Sequence, residues 1–103
     1  MNYVNFLVKI IEKPKQTRIN NEICVTRFIA KYPKIDNQKI ETLIKIIIWG
    51  NSSEDISKYF LVGDYIIVEG YISLRDLTFN DKNSITDKQI EISVFKIYPF
   101  LFY

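Results

Sequence analysis

Trp49, the only tryptophan, and Lys45 stand four positions apart on a stretch that alternates in polarity. From Glu41 to Trp49, residues Thr42, Ile44, Ile46 and Ile48 share one parity, and Leu43, Lys45, Ile47 and Trp49 share the other. A β-strand sends successive side chains to opposite faces, so the second set lies on one side. It mixes a cation with an aromatic, which marks an outer, partly wet face. A strand tryptophan can also belong to a core, but its shared parity with Lys45 and the adjoining Gly50 favour the surface. Catalytic chemistry has much less to work with. There is no histidine and one cysteine, Cys24, which excludes a histidine general base, a cysteine–histidine pair and the common zinc sites. Aspartates and glutamates are scattered at no catalytic spacing. No enzyme, metal or cofactor is expected, and Cys24 reads as a small packing residue on an alternating strand.

The elements that must hold Trp49 in place centre on Ile44 to Ile72. An apolar strand ends at Trp49-Gly50, and Asn51, Ser52 or Ser53 can cap a short helix from Glu54 to Leu61. Glu54 and Asp55 suit the positive end of its dipole. Gly63 can take the left-handed conformation that stops it, and Ile56, Tyr59 and Phe60 form its one apolar face. A second strand follows from Tyr65 to Ile72, with Ile66, Val68 and Ile72 inward and Ile67, Glu69, Tyr71 and Ser73 outward. Gly70 in mid-strand predicts a bulge or coil, and Leu74 to Leu77 can extend the strand. Upstream, Tyr3 to Ile11 alternates, and Lys13-Pro14-Lys15 ends or bends that strand. Gln16 to Glu22 reads as a polar turn before a strand from Ile23 to Ala30, whose register is ambiguous. Lys34 to Lys39 and Thr78 to Asp87 read as loops. The last strand, Ile90 to Ile97, alternates Ile90, Ile92, Val94 and Lys96 against Glu91, Ser93, Phe95 and Ile97.

At 103 residues the chain is one domain, 1–103, with a single modest core. Its 48% hydrophobic and 25% charged content is globular rather than disordered. The longest apolar run, Ile46 to Trp49, is too short for a bilayer, and strand-like alternation from Tyr3 leaves no visible leader, so no membrane partner is expected. A net charge of +2 permits a nucleic-acid partner without demanding one. Isoleucine, asparagine, lysine, tyrosine and phenylalanine make up about half the chain. Their A/T-rich codons point to an A/T-biased genome, such as that of an organelle or a parasite.

Five strands with one short helix between the third and fourth are the order of an all-β OB-fold barrel. The residues inside that frame resemble the bacterial-type single-stranded-DNA-binding protein family. The resemblance lies in Met1-Asn2 and Pro14, Phe28-Ile29-Ala30, Ile48-Trp49-Gly50, Glu54, Tyr59, Gly63 and Val68-Glu69-Gly70. Length and composition look most like the small single-strand-binding-like proteins encoded in algal plastid genomes, so a plastid location is expected, with a mitochondrion or the bacterial cytoplasm as alternatives. The resemblance implies a homodimer or homotetramer that binds single-stranded DNA by stacking bases on aromatics and meeting phosphates with cations. Trp49 falls on a family aromatic position, and Lys45 and Arg75 fall on basic ones. Tyr71 could stack on a base or pack between subunits, and Tyr32 is a candidate third platform. Departures bear on affinity. Leu43 and Leu77 stand where the family often has aromatics, and no acidic tip follows for recruiting partners. The expected function is sequence-nonspecific single-stranded-DNA binding in replication and repair. The alternatives are a protein-interaction subunit of a replication or nucleoid assembly, and single-stranded RNA binding.

Overall fold

Period-two alternation carries most of this fold. The computed structural model describes residues 3–32, 42–51, 58–77 and 87–100. Its strands, in chain order, are β1 (Tyr3–Ile10), β2 (Lys15–Arg18), β3 (Ile23–Lys31), β4 (Leu43–Asn51), β5 (Tyr65–Leu77) and β6 (Asp87–Pro99). They form one sheet in the order β1-β5-β6-β4-β3-β2, and a further pairing of β1 with β3 closes it into a ring. Only β4 and β6 run parallel; every other pairing is antiparallel. The five long strands follow the expected OB-fold order.

Inside the ring, the inward-facing residues meet. Val8, Ile10, Phe28, Ala30, Ile44, Ile46, Ile48, Ile66, Val68, Ile92 and Val94 form one buried cluster. Each large side chain among them contributes about 1.5–3 kcal/mol by leaving water. Cys24 is buried, as a packing residue should be.

The structure corrects the sequence reading in two places. Lys15–Arg18 is a strand, so Gln16 to Arg18 do not belong to the expected polar turn, and it pairs with β3 from Lys15↔Arg27 to Arg18↔Cys24. Buried Pro14 bends the chain between β1 and β2. The turn proper is built by Asn20, whose Oδ1 accepts the amides of Glu22 and Ile23, both at 2.8 Å. A polar edge tetrapeptide lacks the apolar alternation by which strands are recognised. The second correction lies in β6, where Ile97 packs against the core and Lys96 is exposed. The expected bulge is the cause. Glu69 pairs with Lys96 while Gly70 pairs with Val94, leaving Phe95 as the extra residue, so parity reverses there. Gly70 permits this approach, because a Cβ on it would collide with the Ser93 carbonyl oxygen. Of the helix expected from Glu54 to Leu61, residues 54–57 lie outside the described residues, and no α-helix occurs among those that are described. From Lys58 to Asp64 the chain makes one short 3₁₀ step and a turn. Gly63 adopts a φ of 96°, the left-handed conformation expected of it, and its amide donates to the Ile10 carbonyl at 2.7 Å. The expected loops at 34–39 and 78–86 also fall outside the described residues. β5 does continue to Leu77, and β6 begins early, at Asp87.

Candidate nucleic-acid interface

Strand β4 is pinned between β3 and β6, so its outward side chains stand on a fixed base. Ile44, Ile46 and Ile48 are buried, Trp49 is 55% exposed and Leu43 is 48% exposed, with Lys45 half-buried between them. Trp49 is therefore a surface residue and not a core one. Its backbone partner on β3 is Val25, whose partner on β2 is Thr17. The next outward row is Ile47, Arg27 and Lys15, which places two exposed cations one row from the tryptophan.

Arg27 and Lys15 were not among the residues picked out by type and spacing. Arg27 sits in the strand whose register was ambiguous, and Lys15 reads as one of many scattered lysines. The signal that joins them is their cross-strand register, which no local pattern contains.

Lys45 and Arg75, the two predicted cations, are brought to a common acid. Arg75 forms a 3.5 Å ion pair with Glu91 on β6, and Glu91 is the backbone partner of both Lys45 and Ser73. The Glu91 carboxylate is mostly buried, and its Oε1 accepts no hydrogen bond among the described residues. One carboxylate thus offsets part of the positive field that both cations would present to a phosphate.

Tyr71 lies on β5, separated from β4 by β6. It belongs to an aromatic cluster with Tyr3 of β1 and Phe95 of β6. Ring centroids are 6.3 Å apart for Tyr3–Tyr71, 5.8 Å for Tyr3–Phe95 and 5.7 Å for Tyr71–Phe95. All three remain about half exposed. Phe95 reaches this outer face as the extra residue of the bulge. Beside the cluster, Glu69 accepts a hydrogen bond from Asn5 Nδ2 at 3.3 Å. Desolvation within the cluster, and then the Glu69 carboxylate, hold the Tyr3 hydroxyl above the usual tyrosine range. Tyr32 is placed elsewhere. Its ring meets Phe6 edge-on at 4.8 Å and packs against the core cluster. Burial pushes its hydroxyl up to about 12.

A closed all-β sheet with an aromatic and cations on its outer wall defines the class: an OB-fold with the features of a nucleic-acid-binding domain. Comparison with known proteins narrows it. The model of the single-strand binding protein family matches residues 1–99. The chain is 47% identical over 102 residues to the ycf41 protein of Trieres chinensis, provisionally named a single-stranded DNA-binding protein, covering 98% of this chain and 90% of that one. The fold is similar to that of a small single-stranded DNA-binding protein from Streptomyces coelicolor, with a TM-score of 0.77 at 13% identity, over 96% of this chain and 94% of that one. It is also similar to an SSB domain from Synechococcus sp., with a TM-score of 0.68 at 17% identity, over 95% and 94% of the two chains. The chain belongs to the single-strand binding protein family.

Proposed function

We propose that this chain binds single-stranded DNA without sequence preference and serves DNA replication and repair. The observation that carries the reading is Trp49, which stands exposed on the outer wall beside cations on β2, β3 and β4. Bases stack on the indole face regardless of sequence, because every base has a π-face, and cations follow the backbone. Binding of this kind needs no catalysis, and the chain acts as a binding protein rather than an enzyme. A plastid location is supported by the A/T-biased composition and the similarity to ycf41.

The chain works as a homodimer or homotetramer. Tyr3, Tyr71, Phe95 and Tyr98 leave an aromatic face on β1, β5 and β6, and such faces are commonly covered by protein. Glu69 and Lys96, facing partners on the same wall, suit a two-fold contact in which each meets its opposite in the second copy. Tyr71 belongs to this face and contributes to DNA binding less than Trp49.

A second reading has its own support. An exposed leucine, Leu43, shares the outer face with Trp49, and Glu91 pairs with Arg75 and is the register partner of Lys45. Both features favour a protein-interaction subunit with weak DNA binding. Titrating Trp49 fluorescence with DNA and RNA oligonucleotides of equal length, at several salt concentrations, separates the readings. Quenching by DNA that weakens with salt supports the proposal. Equal quenching by RNA makes the chain a general single-strand binder, and no quenching at low salt leaves the interaction subunit.

A further inference from the structure

We propose that Lys15 and Arg27 form a phosphate-binding pair that receives the backbone of a strand whose base stacks on Trp49. This rests on the reading of the chain as a single-strand binder and locates the electrostatic half of that binding. Lys15 and Arg27 are direct backbone partners across β2 and β3, and both are exposed. Like charges placed directly opposite one another on a sheet are destabilising. Among the described residues neither is paired with a carboxylate, whereas Arg75 pairs with Glu91 and Lys45 has Glu91 as its register partner. Among the described residues of this wall, the positive charge without a carboxylate partner therefore lies at Lys15 and Arg27, and an anion bound there relieves their repulsion.

The geometry suits one nucleotide step. Trp49 faces Val25, and Arg27 is two residues along β3, making it the diagonal neighbour of the tryptophan. Diagonal partners sit roughly 7–8 Å apart, within reach of a long side chain. Lys15 continues the same row on β2, which has no neighbour on its far side among the described strands. A strand entering over β2 thus meets two cations before its base meets the indole. The ligand is the phosphodiester backbone. Free phosphate shares that chemistry but lacks the base.

The test compares the wild-type chain with Lys15→Gln, Arg27→Gln and the charge-preserving Arg27→Lys, using an oligothymidylate and, separately, inorganic phosphate. Each Gln variant should lower the slope of log affinity against log salt by about 0.7, while Trp49 quenching at saturation stays unchanged. From 50 to 200 mM salt, that is about 2–3-fold less loss of affinity for each cation removed. Arg27→Lys should keep the wild-type slope. Without DNA, at low salt, the Gln variants should melt at or above the wild-type temperature, because repulsion has been removed. Inorganic phosphate should raise the wild-type melting temperature more than theirs. Slopes unchanged in both Gln variants would overturn the pair as a phosphate site while leaving single-strand binding intact. Gln variants that melt earlier would show the cations to be structural, which also overturns it. A wild-type chain that fails to bind the oligonucleotide at low salt overturns the functional reading itself, a separate result.

Discussion

Trp49 within β4 and Tyr32 just past the end of β3 face opposite fates. Trp49 stands out from β4 with half its surface in water. Replacing it by Ala leaves no core cavity, so the protein should melt near the wild-type temperature. Loss of one base–aromatic stack should weaken DNA binding by about 1–3 kcal/mol. Fluorescence anisotropy with a labelled oligonucleotide, run beside a thermal melt, checks both halves. An early melt with unchanged affinity would contradict the stacking role. Tyr32 instead tucks against Phe6, and its hydroxyl titrates at about 12 when folded, against 10.0 for an ordinary tyrosine. Since the folded form holds this proton more tightly, its contribution to stability is fully present below pH 10. That contribution is lost as pH rises from 10 through about 12. Urea unfolding at pH 9 and pH 11 should show a fall in stability that Tyr32→Phe reduces. An equal fall in both proteins would place the alkaline sensitivity elsewhere.

The pairing of β5 with β6 depends on one missing side chain. At Gly70 the backbone of Ser93 and Val94 comes so close that a Cβ has nowhere to go, and backbone cannot swing aside as a flexible side chain can. Gly70→Ala should therefore destabilise the fold by about 1–3 kcal/mol or more, the usual range for overpacking a fitted interior. Denaturant unfolding measures this directly, and a neutral result would mean that the strands can part there without cost. The same bulge sets Phe95 outward beside Tyr3 and Tyr71. A Gly70→Ala protein that still folds should then also disturb the aromatic face, seen as a change in near-ultraviolet circular dichroism.

Across the whole molecule, the outer wall carries two different surfaces. The β2–β3–β4 side carries Lys15, Arg27 and Trp49, while the β1–β5–β6 side carries the aromatic cluster with Glu69 at its margin. Cations belong with a polyanion, and aromatics beside a carboxylate belong with protein. Light scattering at micromolar concentration should report a dimer or tetramer, and the double variant Tyr3→Ser, Phe95→Ser should shift it toward monomer. A monomeric wild-type chain would rule out the self-association proposed for this face. Net charge is only +2, so few phosphates are met per subunit and the salt dependence should be shallow unless several subunits share one strand.

Strand parity was legible in the residues alone, because a period of two is a property of the extended backbone and needs no neighbour. It placed Ile44, Ile46 and Ile48 inside and Lys45 and Trp49 outside, and Gly63 and Gly70 announced their backbone roles in the same local way. What only the tertiary structure decided is which outward residues stand together. Lys15 with Arg27, Glu91 with Lys45 and Arg75, and Tyr3 with Tyr71 and Phe95 are joined by register between strands. That register follows from the closure of the sheet and from a bulge that reverses one strand's parity, and both are fixed by the packing of the entire core. Tyr32 shows the same limit, since its place against Phe6 depends on where β1 passes the end of β3. Local spacing determines the face a side chain takes, and long-range pairing determines its company.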